Sequence, residues 1–171
     1  MKTLKSLTFI LIFSSLVNLC YAQKAKQENS IDHMISLYLD IKNALIINDG
    51  ITVKNQSNKL YHVLSGSPFT GLTKDQGNLV GTYLGDLLDN TRQMCYTVNA
   101  KEQRPYFARL STHLYDLLKD VNLNKIIIYK QYCPRNQAYW LSETPVIKNP
   151  YYTLSGYLSD GKTAEILAAN K

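Results

Sequence analysis

Apolar positions through the first two thirds of the chain recur at three- and four-residue spacing, the period of an amphipathic helix. From Ile31, the residues Met34, Ile35, Tyr38, Ile41 and Leu45 fall on one face. Asn29 or Ser30 is placed to cap the start of that helix, and Asn48-Asp49-Gly50 to end it. A weaker set, Val53, Leu60, Val63 and Leu64, predicts a second helix from about Thr52 to Leu64, followed by the turn-rich run SGSPFTG. From about Asn78 to Val98, the residues Val80, Tyr83, Leu84, Leu87, Leu88, Thr91, Met94, Cys95 and Val98 trace a third apolar face. Cys95 lies on that stripe, which predicts a packed core thiol. A fourth helix runs to about Val121 through Phe107, Leu110, Leu114, Leu117 and Leu118. Its start is open, because Pro105 is comfortable at a first helical position and costly further in.

After Asn122 the texture changes. Ile126 to Tyr129 is β-branched or aromatic and predicts a short strand, and Ala138 to Leu141 predicts another across the turn-prone PRNQ. The remainder, with Pro145, Pro150, Gly156 and Gly161, reads as short strands and loops packed on the helices. The expected fold is mainly α, a bundle of about four helices with a small irregular β-containing C-terminal segment, an α+β arrangement.

The N-terminus has a different logic. Lys2 and Lys5 precede the apolar run LTFILIFSSLVNL and then CYA, the layout of a cleavable export signal over residues 1–22. The run is short for the ~20 residues a membrane-spanning helix needs. Leu19 stands where lipid attachment at Cys20 wants a small residue. The expected product is a single periplasmic or secreted domain, residues 23–171, with no membrane span after cleavage. The net charge of +6 loses two with Lys2 and Lys5 and contains no basic block, so nucleic acid is not an expected partner. Cys95 and Cys133 are the two thiols left in that domain. We expect both free, with Cys95 inert in the core and Cys133 the more reactive.

Two stretches, EQRPYFARLSTHLYDLLK and IIIYKQYCPRNQAYWLSETPVIKNPYY, together resemble a bacterial exported family known as domain of unknown function 3347. The resemblance rests on Arg104 and Phe107 in the helix, Cys133-Pro134, Trp140-Leu141-Ser142, and Asn149-Pro150-Tyr151-Tyr152. It implies a periplasmic domain that accompanies heavy-metal and copper efflux components, with soft side chains that hold metal. This chain departs from the pattern at the donors. Arg135 and Tyr157 stand at methionine positions and Asp160 at a cysteine position, leaving Cys133 as the one soft donor of four. Copper(I) favours sulfur, and Arg135 repels a cation, so a site of the implied type is expected to be largely lost.

The remaining candidates are sparse. Metal-ligand candidates are Cys133, His113 and Asp160; among His33, His62 and His113 no i, i+4 pair presents two imidazoles together. Cys133 with His113 lacks a third group or a glycine-rich oxyanion turn, so no enzymatic activity is expected. Tyr139, Trp140, Tyr151 and Tyr152 make the C-terminal segment aromatic-rich, and of these Trp140 and Tyr151 are expected to seal the tail onto the helices. Two functional readings follow. One is a non-enzymatic binding or accessory domain whose partners are periplasmic efflux or envelope proteins, with no cofactor. The other is a residual carrier taking copper or zinc on Cys133 with His113 or Asp160.

Overall fold

A computed structural model describes residues 31–66, 69, 72–153 and 157–170. The expected export signal, Cys20, and the caps Asn29 and Ser30 lie outside the described residues. The described chain forms four helices followed by a three-stranded sheet. Helix α1 covers residues 31–46, α2 Gly50–Ser65, α3 Lys74–Met94 and α4 Ala100–Val121. Strands β1 (Ile128–Cys133), β2 (Ala138–Ser142) and β3 (Lys162–Leu167) are antiparallel, in the order β2-β1-β3.

The α1 stripe is buried as expected. The helix stops where Asn48 turns left-handed at φ 59° and the Asp49 amide donates back to the Ala44 carbonyl. The same tripeptide that ends α1 begins α2: Asp49 caps it by accepting from the Thr52 amide at 3.0 Å and the Thr52 hydroxyl at 2.6 Å. Gly50 is required here, because an added Cβ would lie 1.8 Å from the Val98 carbonyl oxygen of the α3–α4 connection.

Both ends of α3 differ from the sequence reading. Helix α3 begins at Lys74, not near Asn78, because Thr73 and Gln76 form a reciprocal capping box. It ends at Met94, so Cys95 is its C-cap and Val98 is exposed in the connection. Cys95 is therefore half-buried, with its thiol donating to the Thr91 carbonyl at 3.3 Å, and is not a core residue. Helix α4 starts at Ala100 behind the cap Asn99, which places Pro105 inside the helix. Lacking an N–H, Pro105 leaves the Lys101 carbonyl without its usual i+4 donor. The rest of α4 compensates by burial. Its inner face carries Gln103, Arg104, Phe107, Leu110, Ser111, Leu114, Leu117 and Leu118, all buried against the other helices and β2. Burying a side chain the size of Phe107 contributes about 1.5–3 kcal/mol.

Strand β1 lies two residues later than the β-branched run predicts. Ile126 and Ile127 are exposed, while Ile128, Gln131 and Cys133 point inward. Trp140 and Leu141 of β2 are both buried although they face opposite sides of the sheet. On one side, the Leu141 amide donates to the Tyr38 hydroxyl at 2.9 Å. That hydroxyl also lies 2.6 Å from Ser111 Oγ, and the Tyr38 ring stacks on Phe107. On the other side Tyr151 meets Trp140 edge-on. Gly161, at φ 153°, lets the backbone pass over the indole, where a Cβ would stand 2.7 Å from it. Strand β3 is exposed along nearly all its length and is tied to α4 through Glu165. Glu165 accepts from Lys119 and Lys130, each at 3.0 Å, and from the Tyr115 hydroxyl at 3.1 Å.

Candidate functional site

The motif residues converge on two adjoining places. The first is the junction of α4, β2 and the segment Asn149–Tyr152. Arg104, 8% exposed, donates from Nε to the Pro150 carbonyl at 2.8 Å. Its Nη2 reaches the Leu45 carbonyl at 3.0 Å and Asn48 Oδ1 at 3.1 Å. Asn149 Oδ1 accepts from the Tyr151 amide, and its Nδ2 donates to the Asp160 carbonyl at 2.6 Å. Tyr151 packs between Phe107 and Trp140, and its hydroxyl donates to the Tyr139 carbonyl. Burial pushes the Tyr151 phenol well above its ordinary pKa, so it remains a neutral donor. Ser142 is buried, its Oγ accepting from the Thr144 amide. Arg104, Phe107, Trp140, Leu141, Pro150 and Tyr151 thus join the helices to the C-terminal segment, while Ser142 and Asn149 bond within that segment. The expectation that the aromatic residues seal the tail holds at Trp140 and Tyr151.

The second place is the corner formed by the end of β1, the turn Pro134–Gln137 and residues 152–153 and 157–160. Cys133 is fully buried, its sulfur 3.9 Å from the Tyr152 hydroxyl. The Tyr152 hydroxyl donates to Asn136 Oδ1 in the turn. Burial first, and the neighbouring Cys133 second, raise the Tyr152 phenol pKa. The Tyr152 and Tyr157 rings lie 5.4 Å apart, and the Arg135 guanidinium sits 4.9 Å above Tyr157. Arg135 Nε donates to Asp160 Oδ2 at 3.3 Å, and that bond raises the guanidinium pKa further. The four positions Cys133, Arg135, Tyr157 and Asp160, which the sequence resemblance singles out as donor positions, are therefore neighbours. They are occupied by a buried thiol and an arginine–tyrosine–aspartate cluster.

His113 is placed elsewhere. Its Nδ1 lies 3.8 Å from Asp86 Oδ2 on α3, and its ring borders a groove between α4 and the β1–β2 turn. Of the candidate trio, Cys133 and Asp160 share the corner, while His113 pairs with α3. Among the described residues, no group of three His, Cys, Asp or Glu side chains is placed to hold a metal ion. Both thiols are free, but their surroundings reverse the expected order of reactivity: Cys133 is enclosed and Cys95 is the accessible one. Desolvation raises the Cys95 pKa, and Lys54 partly offsets it. Sequence reasoning missed Asn136 and the hydrogen-bond partners of Tyr38 and Tyr152, because those partners lie far along the chain.

The architecture is that of a mainly helical α+β domain with a small C-terminal antiparallel sheet. A family model described as "Protein of unknown function (DUF3347)" matches residues 34–125, more than half of the chain, and the chain belongs to that family. The match covers most of the helical part and ends before β1, so the Cys133 corner lies beyond it. No curated protein and no solved structure matches the chain. No described helix is long and apolar enough to cross a membrane.

Proposed function

We propose that this chain is an exported, non-enzymatic binding or accessory domain of the periplasm, related to heavy-metal and copper efflux components, in which the soft metal corner has been rebuilt as an ionic and aromatic one. One observation carries the reading: Cys133, Arg135, Tyr157 and Asp160 share a corner, and an Arg135–Asp160 pair stacked on Tyr157 fills it. A guanidinium in contact with the Asp160 carboxylate both repels a cation and occupies that oxygen donor. The buried thiol is left with a phenol for a neighbour, not a second sulfur. The domain's role then rests on its surfaces and partners in the envelope, without a resident metal.

The test is competition for Cu(I) against a calibrated chelator. The triple variant Arg135→Met, Tyr157→Met, Asp160→Cys should bind at least about a hundredfold more tightly than wild type, since three added sulfur donors complete a soft site. Equal, tight binding by wild type and variant would instead favour the second reading, a carrier using Cys133 and Asp160.

A further inference from the structure

A groove runs between the N-terminal half of α4 and the β1–β2 turn. Two concavities of about 340 and 400 Å³ adjoin there, sharing Pro105, Ala108, Asn136 and Ala138 as a common floor. The size is within the range of small-molecule sites. Two alanines and a proline make that floor shallow and apolar, with Tyr139 at one end and Tyr151 at the other.

The charged groups lining it are of one sign. Lys101 and Arg104 line one end and Arg109 the other, where the His113 imidazole also borders it, and no Asp or Glu is among the lining residues. Asp86, which pairs with His113, stands off the groove on α3. Both guanidinium groups are held in place by neutral partners. Arg109 donates from Nε to Asn90 Oδ1 at 2.8 Å and lies 4.8 Å over the Tyr106 ring. Its two Nη groups have no hydrogen-bond partner among the described residues. Arg104 is buried, yet its three hydrogen bonds go to two backbone carbonyls and an asparagine, with no carboxylate partner among the described residues. Desolvation accordingly lowers its pKa. A buried cation without a counter-ion is costly, and an anion held at Arg109 in the same groove offsets part of that cost through space.

We propose that this groove binds a small organic carboxylate, with the acid group taken by the free Nη edge of Arg109 and the apolar body lying on Pro105, Ala108 and Ala138. A planar guanidinium edge matches a carboxylate in two parallel hydrogen bonds. An inorganic anion would gain nothing from the apolar floor, and a neutral ligand would leave the four cationic or basic side chains unanswered.

Benzoate is a suitable probe, with benzyl alcohol and inorganic phosphate as controls, followed by amide chemical shifts of the ¹⁵N-labelled protein. Benzoate should give saturable shifts at Ala108, Arg109, Asn136 and Ala138, with a Kd on the order of 1 mM for so small a ligand. Arg109→Gln should weaken that binding about tenfold, the loss of one charge-assisted pair. Ala108→Leu, which fills the floor and leaves the cations in place, should abolish it while the remaining amide spectrum stays native. Arg104 is left intact in the test because it holds the fold together. The proposal is overturned by shifts that fail to saturate, by an equal response to benzyl alcohol, by a response to phosphate without one to benzoate, or by unchanged affinity in Arg109→Gln.

Discussion

Arg104 and Arg135 are anchored in neighbouring parts of the molecule and do opposite things. Arg104 is buried at the helix–sheet junction and spends its donors on backbone carbonyls from α1 and from the Asn149–Tyr152 segment. Arg135 is exposed in the β1–β2 turn and pairs with a carboxylate. The junction is a connected network in which removing one member strands buried partners. At the corner, Arg135, Tyr157 and Asp160 form a solvent-accessible cluster whose members can each return to water. A guanidinium's contribution is therefore set by what is left behind when it goes, more than by the number of bonds it makes.

The strongest way to break this comparison is Arg104→Ala. It leaves the Leu45 and Pro150 carbonyls without this donor and opens a space between α1, α4 and β2. We expect a loss of about 3–5 kcal/mol in equilibrium denaturation, with near-UV signals from Trp140 and Tyr151 weakened before helix content falls. A loss below about 1 kcal/mol would mean that the junction is not the connection described here.

Glu165 sharpens the comparison, since it too gathers several partners but near the surface. Hydrogen bonds from Lys130 and Lys119 hold its carboxyl down to about 2, against an ordinary value of 4.5. Because the folded pKa is depressed, its stabilising effect is fully present above about pH 4.5 and is lost as pH falls toward 2. The stability difference between wild type and Glu165→Gln should be level near neutrality and shrink across that window. Solvent screening keeps it modest, so high salt should reduce it as well. A difference that grows on acidification would contradict the assignment.

The smallest effect is expected from Arg135→Ala. Its pair with Asp160 is solvent-exposed, and such pairs contribute little. The denaturation midpoint should stay close to that of wild type, and native-state thiol labelling at Cys133 should remain slow because the sulfur is buried by Tyr152 and the sheet. Rapid labelling of Cys133 in this variant would show that the Arg135 cluster, not the packing, encloses the thiol.

What was legible in the sequence is what depends on nearest neighbours along the chain. The stripes of α1 and α4 are set by a 3.6-residue period, and the mainly helical class with a small β segment follows from the change of texture after Asn122. The motif residues Arg104, Trp140 and Asn149–Tyr151 were recognisable as a set, though not as one packed junction. Cys95 shows where local reading fails: its spacing continues the α3 stripe, but the helix stops at Met94, and a residue past the end no longer shares its face. Cys133 fails in the other direction, since a polar, aromatic strand gives no sign that Tyr152 will cover it. The third strand, the convergence of Cys133, Arg135, Tyr157 and Asp160, and the one-signed groove over Pro105 each join segments tens of residues apart. Only tertiary packing decides such pairings, because the free energy that selects them comes from burying both partners at once, and neither segment carries that information alone.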